Sequence, residues 1–217
     1  MLVKERMTSP VLTITPDVSI QDALARMHHD KVRRYPVVDK HGKLIGIVTE
    51  GDLLNAKPSE ATTLSVWEIT ALLNKITVER VMCAKVITTT EDCPIEEAAR
   101  IMADNEISSL PVMRDKSLVG MITETDIFHI MLELMGGRTP GVRLTVEVLN
   151  KPGKLYEIAG IIQKLGGDIL GLAAILGSRA ETRIFTIKVV GIELDALRKA
   201  VGSAAEQIVD IRETKIS

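Results

Sequence analysis

The sequence predicts an α/β (α+β) protein in which two copies of a small α/β unit are followed by a domain of βαββαβ order. Three observations lead to this prediction. Two segments of roughly fifty residues repeat each other, a glycine-rich stretch follows the second copy, and the apolar pattern changes after that stretch. A length of 217 residues suits two domains better than one small domain.

The repeat appears when residues 7–27 are placed on residues 82–102. The identical positions are Met7, Val11, Thr13, Thr15, Asp17, Ile20, Ala23 and Met27, matched by Met82, Val86, Thr88, Thr90, Asp92, Ile95, Ala98 and Met102. After one deleted residue, Gly46, Thr49, Glu50 and Asp52 fall on Gly120, Thr123, Glu124 and Asp126. So many matches in order indicate a duplicated structural unit.

Each copy is expected to contain a strand, a helix, two strands joined by a turn, and a second helix. The first strand is predicted at 11–15 or 86–90, the first helix from Ile20 or Ile95, and the second helix from Asp52 or Asp126. Because one such unit has little core of its own, the two copies are expected to pack together.

These patterns divide the chain into four segments. Residues 1–57 are predicted to form the first unit, 58–76 a bridging helical segment, 77–136 the second unit, and 141–214 the last domain. The bridging prediction rests on apolar residues at helix-like spacing, namely Leu64, Trp67, Ile69, Leu72 and Leu73.

Composition excludes several classes of function. A net charge of −2 and 2% aromatic residues argue against a nucleic-acid-binding surface. The chain lacks a secretory start and a run of about 18 apolar residues, so we expect no membrane contact.

Cys83 and Cys93 match no metal or disulfide spacing, which favours a reducing cytoplasm. His28 and His29 are adjacent and cannot face one ion from a helix, so no metal site is expected.

The duplicated part resembles a tandem pair of CBS domains, the Bateman module, and in particular its AcuB-like branch. The motifs that carry the resemblance are V-x-T, [RS]-[RS]-[YL]-P-V and G-[IM]-[VI]-T-E-x-D. The resemblance implies a homodimeric regulator with an adenine nucleotide, or a related adenosyl ligand, in a cleft between the copies. No cofactor is required in that case.

The repeated Thr and Asp suit a nucleotide, since a carboxylate accepts ribose hydroxyls and a Thr hydroxyl beside a helix start can meet a phosphate. The resemblance implies nucleotide contacts from Ser9, Val11, Thr13, Arg33, Arg34, Tyr35, Thr49 and Asp52, and from Ala84, Val86, Thr88, Ser108, Ser109, Leu110, Thr123 and Asp126. The alternative is that the Thr-x-x-Asp pattern only caps a helix. A capping residue can also contact a ligand, so the two roles are compatible.

The two copies differ in charge at two adjacent positions. Arg33 and Arg34 stand where the second copy has Ser108 and Ser109. Two guanidinium groups favour a polyphosphate or another anion, whereas the alternative is a solvated basic surface. The difference predicts that the two clefts bind ligand with unequal affinity.

The C-terminal third follows the glycine-rich residues 135–141 and predicts a ferredoxin-like βαββαβ domain. A strand at 142–148 alternates apolar and polar residues, and a helix then ends at a glycine pair. Strands at 168–177 and 182–190, a helix from about 193 and a strand near 207–212 complete the order.

This third resembles an ACT domain through V-x-V-x-N-K-P-G-x-L and G-G-D-I. The resemblance implies amino-acid binding where two domains pair, with contacts from Asn150, Lys151, Pro152, Gly153, Asp168 and Ile169. Many members of the family carry Asp where this chain has Asn150. The neutral amide of Asn150 weakens the expectation that an ammonium group is recognised by charge there. The alternative is a domain that only dimerises.

No arrangement of residues typical of a catalytic triad, a metal cluster or a phosphate-binding loop is visible. The sequence therefore favours a non-catalytic sensor that passes ligand state to an unknown regulated protein through a dimer. Two other hypotheses stay open: an oligomerisation module with empty clefts, and a small enzyme.

Overall fold

The computed structural model describes residues 1–56 and 75–215. The described residues form two compact units, Met1–Ile127 and Phe128–Ser217. The predicted bridging segment at 58–76 lies outside the described residues except for its last two positions. No helix among the described residues is long and apolar enough to cross a bilayer.

The first repeat consists of α1 (Ile20–Asp30), β1 (Arg34–Val38), β2 (Leu44–Thr49) and α2 (Glu50–Asn55). Ser19 caps α1 by accepting a hydrogen bond from the backbone N–H of Asp22. The helix ends at Lys31, whose φ of 56° is the left-handed conformation that terminates many helices. β1 and β2 form an antiparallel hairpin.

One apolar cluster holds the first repeat together. It includes the sheet-facing side of α1, Tyr35 and Val37 of β1, and Val48 of β2. Val78, from α3 (Val78–Val81), belongs to the same cluster although it lies in the segment that precedes the second repeat.

The second repeat contains β3 (Thr89–Thr90), α4 (Ile95–Asp104), β4 (Ser109–Arg114), β5 (Ser117–Thr123) and α5 (Glu124–Leu134). Its sheet has the order β3-β4-β5. The predicted first strand is short in both copies: β3 has two residues, and Ile14 forms only an isolated bridge to Val37. The predicted second helices begin two residues before the expected aspartates, because Thr49 occupies the N-cap of α2.

The first residues of each repeat pair with the other repeat. Thr8 and Met121 exchange two backbone hydrogen bonds, and Cys83 and Ile47 do the same. A short 3-10 helix, Val3–Glu5, likewise bonds to residues 91–93. The two copies are thus tied together by a reciprocal exchange of backbone hydrogen bonds.

This exchange explains why each hairpin carries a glycine. A Cβ on Gly46 would lie 2.5 Å from the Sδ of Met82, and a Cβ on Gly120 would collide with the Sδ of Met7. The exchanged methionines therefore fill the space that any larger residue would need.

The second unit has the βαββαβ order that the sequence predicts. It contains β6 (Gly141–Leu149), α6 (Lys154–Lys164), β7 (Asp168–Leu176), β8 (Thr182–Val190), α7 (Leu194–Val201) and β9 (Gln207–Thr214). The sheet is antiparallel with the order β7-β8-β6-β9. Alternate residues of β6 and β8 pack against Ile158, Ile162 and Leu197 of the helices to form the core.

Candidate functional site

Thr49 and Asp52 cap α2 reciprocally. The Asp52 Oδ2 accepts hydrogen bonds from the Thr49 N–H at 2.8 Å and from the Thr49 hydroxyl at 2.7 Å. The Asp52 N–H donates to Thr49 Oγ1 at 3.2 Å. Thr123 and Asp126 repeat this geometry at 2.8, 2.7 and 3.3 Å. The capping interpretation therefore describes both pairs.

Capping limits what each pair can offer to a ligand. A Thr hydroxyl has one proton, and in both pairs that proton is donated to the aspartate. Donation from Thr49 or Thr123 to a phosphate would require the hydroxyl to rotate away. Oδ1 of Asp52 and of Asp126 makes no hydrogen bond within the described residues, so each carboxylate keeps an acceptor for a ligand hydroxyl.

A cavity of about 540 Å³ lies between the two repeats. Its lining combines residues before α1, residues around the start of β1, and residues at the end of β5. They are Thr8, Val11, Leu12, Lys31, Val32, Arg33, Arg34, Pro36, Ser108, Met121, Thr123, Glu124 and Thr125. The cavity thus brings together five of the residues expected from sequence: Val11, Arg33, Arg34, Ser108 and Thr123.

A second cavity of about 360 Å³ holds Ser9, Val11 and Thr13, together with residues of both hairpins such as Arg114 and Val119. The Ser9 hydroxyl donates to the Val119 carbonyl at 2.9 Å. Ser9 and Thr13 therefore face a different cavity from the arginines, and only Val11 contributes to both.

Other predicted residues lie elsewhere. Tyr35 is 2% exposed and Leu110 is fully buried, so their side chains belong to the cores, and Ser109 is also buried. Neither cavity includes Thr49, Asp52 or Asp126, nor the exposed or half-buried Ala84, Val86 and Thr88.

The Tyr35 hydroxyl donates to Asp30 Oδ2 at 2.6 Å. Burial, together with this hydrogen bond, raises the pKa of Tyr35, and the same bond lowers the pKa of Asp30. Tyr35 thus binds Asp30, the last residue of α1, and does not line either cavity.

Positive charge dominates the larger cavity. Arg34 donates from Nη1 to the Ser108 hydroxyl at 2.8 Å. Burial lowers the pKa of Arg34, and Glu124 opposes this effect while Arg33 adds to it. Within residues 1–56 and 75–215, neither Lys31 nor Arg33 forms an ion pair. Three cationic side chains and one carboxylate therefore line the same cavity.

Sequence reasoning missed Lys31, Met121 and Glu124 as cavity residues. Lys31 could have been found, since it follows α1 directly and stands two residues before Arg33. Met121 lines the cavity where it pairs with Thr8. No local sequence pattern predicts a pairing between segments so far apart in the chain.

The residues predicted at the ACT-like domain fall into two groups. The exposed loop from Asn150 to Gly153 follows Leu149, which pairs with Thr182 at one end of the sheet. Ile169 pairs with Val189, which in turn pairs with Val142 at the other end. Leu149 lies seven residue steps along the strand from Val142, a distance of roughly 23 Å. Within one chain the loop therefore lies far from Asp168 and Ile169, because α6 runs back along the sheet before β7 begins.

Part of the loop has a clear structural role. Gly153 is the N-cap of α6 with a φ of 89°, a conformation that favours glycine. The Asn150 N–H donates to the Glu181 carbonyl at 2.7 Å, which fixes the start of the loop. Among the described residues, no group of three or more His, Cys, Asp or Glu side chains is placed to hold a metal ion.

Comparisons with known proteins match both parts of the chain. The CBS domain family model matches residues 3–59 and 78–133. The model of the TTHA0829-like ACT domain matches residues 140–212.

Two curated relatives match the repeated part. The L-aspartate semialdehyde sulfurtransferase of Methanocaldococcus jannaschii is 33% identical over 138 residues, which are 63% of this chain and 24% of that protein. A CBS domain-containing protein of Dictyostelium discoideum is 30% identical over 135 residues, 62% of this chain and 93% of the relative. The chain thus spans about a quarter of the sulfurtransferase.

Three solved structures share this part of the fold. The CBS domain pair of protein MJ0100, in complex with 5′-methylthioadenosine and S-adenosyl-L-methionine, has 32% identity and a TM-score of 0.52, covering 64% of this chain and 98% of its own. AcuB of Vibrio cholerae, described as an acetoin utilization protein, has 29% identity and a TM-score of 0.53, covering 64% and 95%. CBSX2 in complex with AMP has 26% identity and a TM-score of 0.52, covering 61% and 97%.

Proposed function

The chain belongs to the CBS domain family and carries a C-terminal ACT domain, and from this premise we propose that it is a non-catalytic regulator that binds an adenine nucleotide. The supporting observation is the cavity of about 540 Å³ between the repeats, which has cationic and apolar walls. Its volume lies in the range of roughly 300–1,000 Å³ common for small-molecule sites.

The lining suggests how a nucleotide would lie. Val11, Leu12, Val32, Pro36 and Met121 offer apolar surface for a base. Lys31, Arg33 and Arg34 offer cations for phosphates, and Glu124 offers a carboxylate for ribose hydroxyls. We place the phosphates at the end of the cavity formed by the start of β1.

Charge also supports a preference among adenosine ligands. The MJ0100 pair is described with S-adenosyl-L-methionine and CBSX2 with AMP. The sulfonium of S-adenosyl-L-methionine is a cation, and three cations with one carboxylate disfavour it here. We propose that this cavity selects AMP, ADP or ATP over S-adenosyl-L-methionine.

A thermal-shift panel on the full chain tests the nucleotide proposal. AMP, ADP, ATP, S-adenosyl-L-methionine and NADH are compared at millimolar concentration with wild type, Asp52→Ala and Asp126→Ala. Stabilisation by a nucleotide is expected because a ligand that binds only the folded state raises its stability. A nucleotide shift that survives both substitutions would remove the two aspartates from the site while leaving the cavity assignment intact.

We further propose that the ACT domain binds an amino acid between two copies. The loop from Asn150 to Gly153 and residues Asp168 and Ile169 lie at opposite ends of one sheet, so they could form one site only if β7 edges pair antiparallel. β7 is an edge strand that exposes Leu172 and Ile175 and carries one charged residue, its first. Such an edge favours strand pairing.

Light scattering tests this arrangement. A homodimer is expected for the full chain, and Ile175→Lys is expected to weaken it because the lysine would meet its own symmetry mate or an apolar partner. An unchanged dimer would exclude β7 pairing. Such a dimer would also provide the route by which ligand state reaches a regulated partner in the cytoplasm.

One observation favours an alternative function. The repeated Thr and Asp residues satisfy each other as helix caps and require no ligand. An oligomerisation module with empty clefts would show no thermal shift with any member of the panel. Enzyme activity is not carried over from the sulfurtransferase, since this chain spans 24% of that protein.

A further inference from the structure

Helix α5 belongs to both compact units. It runs from Glu124 to Leu134, and the boundary between the units falls inside it, after Ile127. Thr123, which caps the start of the helix, lines the cavity of about 540 Å³ together with the first two helical residues, Glu124 and Thr125. A nucleotide in that cavity would therefore meet the start of a helix whose second half belongs to the ACT unit.

A glycine of β7 lets the other end of α5 pack closely against the ACT sheet. A Cβ on Gly171 would lie 2.6 Å from the carbonyl oxygen of Leu134 and 2.9 Å from the Cα of Met135. Both are backbone atoms, which cannot move aside as the end of a flexible side chain can. Gly171 is buried, and the β7–β8 register has a bulge directly before it, where Leu170 is the extra residue. Only a residue without a side chain permits this contact.

A second glycine, at the end of α5, completes the contact. Gly136 has a φ of 60°, the left-handed conformation that ends many helices, and the Gly137 N–H donates to the Leu132 carbonyl at 2.7 Å. A Cβ on Gly136 would lie 2.9 Å from the Cγ of Lys188 and 3.3 Å from the Cβ of Leu170. We call this contact the α5 joint; it consists of residues 134–136 on one side and of Leu170, Gly171 and Lys188 on the other.

The α5 joint also reaches the remaining two strands of the sheet. Lys188 pairs with Gly171. The Lys188 amine donates to the Thr214 hydroxyl of β9, and that hydroxyl donates to the Gly141 carbonyl of β6 at 3.0 Å. Because Lys188 is 5% exposed, its side chain cannot leave the joint without breaking these contacts. Opening of the joint would therefore loosen β7 and β8, and with them the hydrogen bonds to β9 and β6.

We propose that α5 carries the state of the nucleotide cavity to β7, the edge strand of the ACT domain. A bound nucleotide would hold the first turn of α5, and because helix formation is cooperative, a helix held at its start frays less at its end. The joint would then be closed for more of the time, which protects β7 and β8 from local opening. The joint, open or closed, is the two-state element that such coupling requires. This role rests on the proposed nucleotide binding and adds the structural element through which the ligand acts on β7.

Hydrogen exchange followed by mass spectrometry tests this role on the full chain, with and without saturating ATP. ATP is expected to slow amide exchange in β7 by about 5-fold or more, the lower end of the coupling typically found between two sites. Gly171→Ala and Gly136→Ala each force the joint apart, so each should abolish this slowing. Both variants should still bind ATP in calorimetry, and exchange in residues 31–36, most of which line the cavity, should still slow.

Gly160→Ala in α6 is the matched control, since a Cβ there meets nothing within 4 Å, and it should keep the full effect of ATP on β7. Circular dichroism shows whether each variant is folded, and Gly136→Ala serves alone if Gly171→Ala unfolds the sheet. If ATP binds but exchange in β7 stays the same in wild type, or the folded glycine variants keep the slowing, α5 does not carry the state of the cavity and only the nucleotide proposal stands. If ATP does not bind, both fail.

Discussion

Arg34 of the first repeat donates a hydrogen bond to the hydroxyl of Ser108 in the second, with 2.8 Å between Nη1 and Oγ. In the alignment of the repeats, Ser108 is the counterpart of Arg33 and Ser109 that of Arg34. Three of the four residues that distinguish the two copies, Arg33, Arg34 and Ser108, therefore line the same cavity. A phosphate bound by Arg34 would also change its bond to Ser108, so both repeats would respond to the ligand.

Replacing Arg33 should weaken nucleotide binding in proportion to phosphate charge. Arg33 lines the cavity and has no ion-pair partner among the described residues, so Arg33→Ser removes a cation without breaking a structural contact. The expected loss grows from AMP to ATP and shrinks at high salt. Calorimetry measures it, with Arg26→Ser on the exposed face of α1 as the control. An equal loss for both variants would indicate a general charge effect.

The two reciprocal caps should contribute equally to stability. Thr49→Ala and Thr123→Ala each remove a cap of the same geometry, so each is expected to lower the free energy of unfolding by about 1 kcal/mol. Urea denaturation checks this. A negligible effect of either substitution would mean that the helix start is held by packing alone.

Glycine substitutions should separate a crowded position from an open one. Gly46→Ala places a Cβ against Met82 and is expected to destabilise the first unit. A Cβ on Gly51 in α2 would make only an ordinary contact, 3.7 Å from Thr49 Oγ1, so Gly51→Ala should stabilise by up to about 1 kcal/mol. The change in thermal midpoint shows whether each substitution stabilises or destabilises the protein. Stabilisation by Gly46→Ala would contradict the described packing.

Glu147 should make the second unit sensitive to acid. Its Oε1 accepts hydrogen bonds from the Ser178 N–H at 2.8 Å and the Ser178 hydroxyl at 2.6 Å, and also from the Thr182 hydroxyl. These bonds lower the pKa of Glu147 below its ordinary value of 4.5. The stabilisation is present above that value and is lost as pH falls through the lowered pKa.

Glu147→Gln should therefore destabilise the protein at neutral pH and reduce the slope of stability against pH below about 4.5. Urea denaturation at several pH values measures this, and the exposed Glu181→Gln is the control. The same acid sensitivity in Glu147→Gln and wild type would show that other carboxylates cause it.

Local patterns predicted most of the fold. The repeat and its capping motif placed Thr49 and Asp52 together, and the strand and helix periodicities located every element of the second unit within a few residues. These features depend on neighbours in the chain. The pairing of Thr8 with Met121 depends instead on tertiary packing between distant segments, and so did not appear in the sequence.

Site predictions were less complete for the same reason. The motifs selected Arg33, Arg34 and Ser108, which line one cavity, but they assigned them to two different clefts and did not show that Tyr35 and Leu110 would be core residues. The loop at Asn150 and the strand at Asp168 were grouped by motif, although a helix between them separates their ends of the sheet.

Calorimetric titration of the full chain with ATP and with S-adenosyl-L-methionine tests the central claim most directly. We expect ATP to bind more tightly, with an affinity that falls as salt increases, and any second site to differ in affinity from the first. Two identical independent sites would contradict the inequality of the clefts. Tighter binding of S-adenosyl-L-methionine, or no binding of ATP, would contradict the assignment of the cavity to an anionic adenine nucleotide.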